Sequence, residues 1–245
     1  MGDGWLTAWV LAVIFLATLI RSAFGFGEAL VAVPLLALMM PVEVAAPLAV
    51  LVSITVAVVV VLEDWHQVHF GSAWRLVLST LFGIPLGLLL LTAVPGPVVK
   101  ACLAVVILAF SGYCLARRAT PELRDDRLAW LFGFAAGVLG GAYGMNGPPL
   151  VIYGALRRWP AEQFRATLQG YFLPASVVGM AGYWLAGLWA PPVTRYYLLS
   201  LPVAVLSIVL GRAVNRRLAG RSFLRYVHAA LILIGIALLV QSMAQ

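Results

Sequence analysis

Charge is scarce in this chain. Only 10% of its 245 residues are charged, 63% are hydrophobic, and the mean hydropathy is +1.02. Soluble domains carry roughly 25% charged and 45–50% apolar residues, so this composition excludes a water-soluble globule. Cysteine is nearly absent. Cys102 and Cys114 lie in one apolar run, ~18 Å apart along a helix and too distant for an internal disulfide. No Lys or Arg precedes Arg21, so the N-terminus lacks the basic start of a cleaved signal peptide, and its first apolar run reads as a retained helix. Also missing are a Walker loop, an HExxH or GxSxG motif and a pair of intramembrane aspartates. Those absences argue against direct drive by ATP and against an intramembrane enzyme.

What remains is apolar sequence in blocks. A membrane crossing takes roughly 20 apolar residues per helix. Breaks at Pro, Gly and charge clusters divide the chain into runs near 5–21, 24–40, 43–62, 72–92 and 97–116, then 128–143, 147–157, 161–188, 195–212 and 224–242. The expected fold is an all-α integral membrane protein in a single transport domain spanning 1–245. It comprises a first repeat at 1–116, a charged linker at 117–127 and a second repeat at 128–245. A gapless offset of 119 residues pairs Phe15 with Phe134, Ala17 with Ala136, Ala23 with Ala142, Gly25 with Gly144, Pro41 with Pro160 and Glu43 with Glu162. Five blocks per half make the repeats inverted, with eight to ten transmembrane helices depending on whether the first hairpin of each half is re-entrant.

The net charge of +7 does not point to nucleic acid, because the basic residues sit at the ends of apolar blocks instead of forming a stripe among exposed aromatics. With both termini outside the cytoplasmic (inner) membrane, fourteen basic residues fall on the cytoplasmic side, Arg21 among them, and only Lys100 and Arg195 fall outside. That is the positive-inside pattern. Arg21 accordingly reads first as an interfacial anchor and second as a residue that draws anions inward. Trp5, Trp9, Trp65, Trp74, Trp184 and Trp189 lie near block ends, as an aromatic belt requires. Glu43 and Glu162 each follow a proline by two residues, which is helix-start chemistry. His66 and His69 accompany Glu63 and Asp64 in one short loop, a weak pattern for a metal, and none is assigned. His228 reads as an interfacial side chain.

The functional signal is a pair of matched interruptions. Ser22-Ala23-Phe24-Gly25-Phe26-Gly27-Glu28 breaks the first half, and Gly140-Gly141-Ala142-Tyr143-Gly144-Met145-Asn146-Gly147-Pro148-Pro149 breaks the second. Lipid cannot satisfy free N–H and C=O groups, so irregular backbone at membrane depth has to line a cavity or lie against protein. A helix starting after each break would aim unpaired N–H groups and a positive dipole end at that cavity, an anion site that needs no basic side chain. Asn146 adds an amide donor. Phe24, Phe26, Tyr143 and Met145 supply desolvating walls or gates, and Gln169 and Tyr171 are further lining residues or interhelical bridges. Gly25, Gly27, Gly144 and Gly147 permit close approach of the backbone. Glu28 sits in the apolar run, where a buried charge costs at least ~2.5–3.5 kcal/mol on insertion scales, so it is expected to couple or gate transport, together with Arg21.

These residues resemble the sulfite exporter TauE/SafE family of membrane anion permeases, through the Gly-Phe-Gly and Val33-Pro34-Leu35-Leu36 of the first half and the Gly-Gly-x-Tyr-Gly-x-Asn-Gly-Pro-Pro stretch of the second. The resemblance implies a cofactor-free permease moving sulfite or a related organosulfur anion across the cytoplasmic membrane. Glu28 departs from what an anion site would be expected to carry. Alternating access is the leading mechanism, and a passive anion channel is the alternative.

Overall fold

The computed structural model describes residues 2–64, 70–116, 123, 127–217 and 221–244. The described residues form ten helices and no strand: α1 (Gly2–Phe24), α2 (Glu28–Ala37), α3 (Val42–Asp64), α4 (Phe70–Ala93), α5 (Gly96–Ala116), α6 (Leu128–Tyr143), α7 (Gly147–Leu156), α8 (Ala161–Leu185), α9 (Pro191–Arg217) and α10 (Arg221–Met243). Helix is the only open structure that satisfies every backbone group inside lipid. The chain stays helical even across Pro34, Pro47, Pro85, Pro174 and Pro202. Stretches within α1, α3, α4, α5 and α9 are long and apolar enough to cross a membrane. The outer surface is apolar, with Phe82, Leu131, Val209 and Leu233 all at least three-fifths exposed. A water-soluble fold would bury such residues, whereas lipid accepts them. The chain is an all-α, multi-pass membrane protein.

Two helices are too short to cross. α2 and α7 have 10 residues each, about 15 Å of the roughly 30 Å hydrocarbon core, and each follows a glycine-containing break. The first hairpin of each half therefore pairs a longer helix with a half-length one. Trp9 Nε1 donates to the Leu35 carbonyl oxygen at 3.2 Å, so α2 runs back alongside α1.

Besides the α4–α8 contact, the most extensive packing joins α4 to α6, α1 to α9, α5 to α10 and α3 to α8. Substituting α1–α5 for α6–α10 in order converts the first of these pairs into the second and returns the other two to themselves. In the α4–α6 seam a Cβ at Gly83, Gly87, Gly137 or Gly141 would run into backbone of the facing helix, so the two backbones lie in direct contact. Thr80 Oγ1 donates across this seam to the Gly133 carbonyl oxygen at 2.8 Å. Small residues that let backbones approach are the usual means of helix association in lipid, where no hydrophobic force separates helix from solvent.

Both cysteines lie in α5 and are free. His66, His69 and Trp65 lie outside the described residues. His228 differs from expectation. It is buried and its ring meets Phe110 edge-on at 5.6 Å, because α10 turns this face toward α5.

Candidate functional site

The two breaks meet. A cavity of about 30 Å³ is lined from the first half by Arg21, Phe26, Gly27, Glu28, Ala29, Leu30 and Ser53, and from the second by Gly144, Met145, Asn146, Gly147, Pro148, Phe172 and Ser176. Ser53 is midway along α3 and Phe172 close to midway along α8, so this chamber sits near the centre of the α3–α8 pair.

Local backbone chemistry builds each break. The Gly25 N–H closes α1 by bonding to the Arg21 carbonyl oxygen at 2.6 Å. Gly25 and Gly27 then take φ of 84° and 99°, a left-handed region that L side chains rarely adopt. α2 starts on Gly27 without a side-chain cap, and its first backbone bond runs from the Val31 N–H to the Gly27 carbonyl oxygen. The N–H groups of Glu28, Ala29 and Leu30 thus have no acceptor within the helix, and all three residues border the chamber.

In the second half, Gly144 ends α6 at φ 65°. A Cβ there would press on the Val50 side chain and the Ala46 carbonyl oxygen of α3. α7 starts with Pro148 and Pro149, which suit a first turn but carry no N–H. The two helix starts are therefore unequal: α2 offers three amide donors, while α7 offers the Gly147 N–H and its dipole.

Arg21 is the main departure from the sequence reading. It was expected chiefly as an anchor at the cytoplasmic surface, but it is buried in the chamber at 4% exposure, paired with Glu28 at 2%. Its Nη1 donates to Glu28 Oε2 at 2.5 Å, to the Ser53 carbonyl oxygen at 3.2 Å and to Ser53 Oγ. Glu28 Oε1 accepts from Thr18 Oγ1 at 3.0 Å. The guanidinium carbon lies 5.1 Å from the centre of the Phe172 ring, a cation–π distance. Arg21 Nη2 is buried and has no hydrogen-bond partner. Thr18 and Arg21 share one face of α1, three residues apart, and the break folds the first residue of α2 against that face. Two charges that would each be costly alone are held in the apolar interior by one another.

The remaining expected site residues divide. Phe26, Gly27, Gly144, Met145, Asn146 and Gly147 border the chamber, as does Glu28, whereas Phe24, Gly25 and Tyr143 do not. Phe24 packs against the main core cluster. The Tyr143 hydroxyl donates to the Val99 carbonyl oxygen at 3.0 Å and ties the end of α6 to α5. Gln169 has its side chain outside the described residues, and Tyr171 bridges helices by a hydrogen bond to Thr80 at 2.6 Å. Ser53, Phe172 and Ser176 were missed. Their spacing carried no signal, since the 119-residue offset sets Ser53 opposite an unlike residue, Phe172, although both flank Arg21 in the fold.

Neither a curated protein nor a solved structure matches the chain. Residues 10–238 match the family described as Sulfite exporter TauE/SafE, nearly the whole length, and the chain belongs to this family of membrane transporters.

Proposed function

We propose that this protein is a secondary carrier that moves sulfite or a related small organosulfur anion across the cytoplasmic membrane by alternating access, with the chamber between the broken hairpins as its binding site. The observation that carries this reading is a buried guanidinium whose Nη2 has no partner, beside a helix start whose first three N–H groups have no acceptor within the helix. Both favour an oxyanion, which accepts several hydrogen bonds at once, over a halide. A cavity of about 30 Å³ has room for roughly two waters, so the chamber has to widen to load the anion. Phe26 borders the chamber and meets Phe164, at the start of α8, edge-on with ring centres 6.1 Å apart. We assign this aromatic pair as the gate on that side.

The two halves are read as inverted repeats joined by the linker at 117–127. The paired helix contacts support this reading, as does the placement of the two breaks at one chamber. Removing Arg21 from the orientation tally leaves thirteen basic residues against two, which still favours both termini outside. Glu28 is read as the coupling carboxylate. An anion added to a neutral Arg21–Glu28 pair brings uncompensated charge into low dielectric, and a proton carried with it on Glu28 restores the balance.

Thermal melts of the purified protein test the substrate. Sulfite is expected to raise the melting temperature and chloride is not; no shift with any sulfur oxyanion refutes the assignment. Counterflow in proteoliposomes tests the mechanism, since unlabelled sulfite loaded inside accelerates labelled influx through a carrier and not through a channel.

A further inference from the structure

The charge pair inside the chamber is asymmetric in a way that the fold is not. Under the 119-residue offset Arg21 corresponds to Gly140 and Glu28 to Gly147, so the second half holds no counterpart of the pair. Among the described residues that line the chamber, Arg21 and Glu28 are the only ionisable side chains. The elements around them present neutral groups: Ser53 from α3, Asn146 at the start of α7, and Phe172 and Ser176 from α8.

A guanidinium is a planar fork made to hold two oxygens of one anion, yet Glu28 takes only one arm of it. Nη1 carries the contacts to Glu28 and Ser53, and Nη2 carries none. An oxyanion spanning both arms has to remove Glu28 Oε2 from Nη1. The space favours this, because a cavity with room for roughly two waters is tight for an oxyanion beside an undisplaced carboxylate. Electrostatics favours it as well, since two anions on one cation repel in low dielectric. The chain has means for the move. Glu28 directly follows Gly27 at φ 99°, and Gly25 at φ 84° lies two residues before that.

We propose that the Glu28 carboxylate is a resident stand-in for the transported anion: it holds Arg21 while the chamber is empty, and loading exchanges one negative group for the other on the same guanidinium. The proposal rests on the chamber being the binding site. Arg21 then contacts the substrate directly. Thr18, by hydrogen-bonding Glu28 Oε1, sets how firmly the stand-in is held. The site selects for anions with two oxygens spaced to span the fork.

The test compares the wild-type full-length chain with Glu28→Gln, Thr18→Val and Arg21→Lys, using sulfite as the probe, chloride as the control, and both melting temperature and equilibrium binding as readouts. Without the stand-in, Glu28→Gln leaves a buried cation unpaired, so this variant is expected to melt below wild type without sulfite and to gain more from sulfite than wild type does. Its Kd is expected to fall by roughly tenfold or more, because the competing like charge is gone. Thr18→Val keeps the ion pair and is expected to fall between the two, so it carries the test if Glu28→Gln does not fold. Arg21→Lys, which lacks the fork, is expected to lose sulfite binding. If wild type binds sulfite while Glu28→Gln or Thr18→Val binds it no more tightly, the exchange is overturned and the chamber reading survives. If wild type binds no sulfur oxyanion, the substrate reading falls and takes the exchange with it.

Discussion

Glu28 and Gly147 are the first residues of α2 and α7, and both border the chamber, one with a carboxylate and the other with no side chain at all. A Cβ built on Gly147 meets nothing within 4 Å, so this glycine faces open space. Gly147→Ala is therefore expected to fold with a melting temperature near wild type, since a Cβ there meets nothing, yet to narrow the chamber and weaken the stabilisation by sulfite. A large drop in melting temperature without ligand would show that the space is not free. Gly144 gives no such separation, because its left-handed backbone and its contact with Val50 and Ala46 make substitution a folding defect first. At this scale the sequence was partly legible. Glycine in a polar break within an apolar run marks a backbone position, and Glu28 stands out as a lone acid at depth. Arg21 was divided between two readings, because a basic residue at the end of an apolar block satisfies the positive-inside rule as well as it serves coupling, and only the fold reveals that the chain turns it inward onto Glu28.

The helices serve two different purposes. α4 and α6 interlock through glycines and form a rigid support, since a packed backbone-to-backbone seam has no side chains to rearrange. α2 and α7 are half-length, flanked by glycine, and placed where a small rotation would change which amides face the chamber. Gly137→Leu would force the Thr80 and Gly83 backbones apart, and overpacking of this kind costs roughly 1–3 kcal/mol or more. The expected outcome is a clear loss of thermal stability whether or not sulfite is present. Retention of wild-type stability would mean that the seam is loose. Helix existence and order were readable from the apolar runs, because length and composition alone decide what spans a bilayer. The extent of α7 was readable as well, its run at 147–157 against Gly147–Leu156 in the structure; that of α2 was not, its run at 24–40 against Glu28–Ala37, because its residues are as apolar as those of a full span and the break before it shows only as glycine.

In the whole molecule, the α3–α8 pair at the centre brings the two broken hairpins to one place, although their breaks lie about 119 residues apart in sequence. The packing repeats between halves while the charges do not. On the proposed carrier mechanism the near-symmetric scaffold rocks between two states, and the Arg21–Glu28 pair, without a counterpart among the described chamber residues, is the anion's electrostatic partner in both. Sequence pattern reached this level through the duplicated break. It could not place Ser53, Phe172 and Ser176, whose role comes from where α3 and α8 sit and not from their own spacing.

The central claim is that an oxyanion binds on Arg21 Nη2 and the amides of Glu28, Ala29 and Leu30. Selenite carries the oxygens of sulfite on a heavier atom that anomalous diffraction locates in crystals grown from lipid. Its oxygens are predicted at roughly 3 Å from Arg21 Nη2 and from at least one of those amides, with Glu28 moved off Nη1. Selenium found at another site while the chamber keeps the Arg21–Glu28 pair intact would contradict the account.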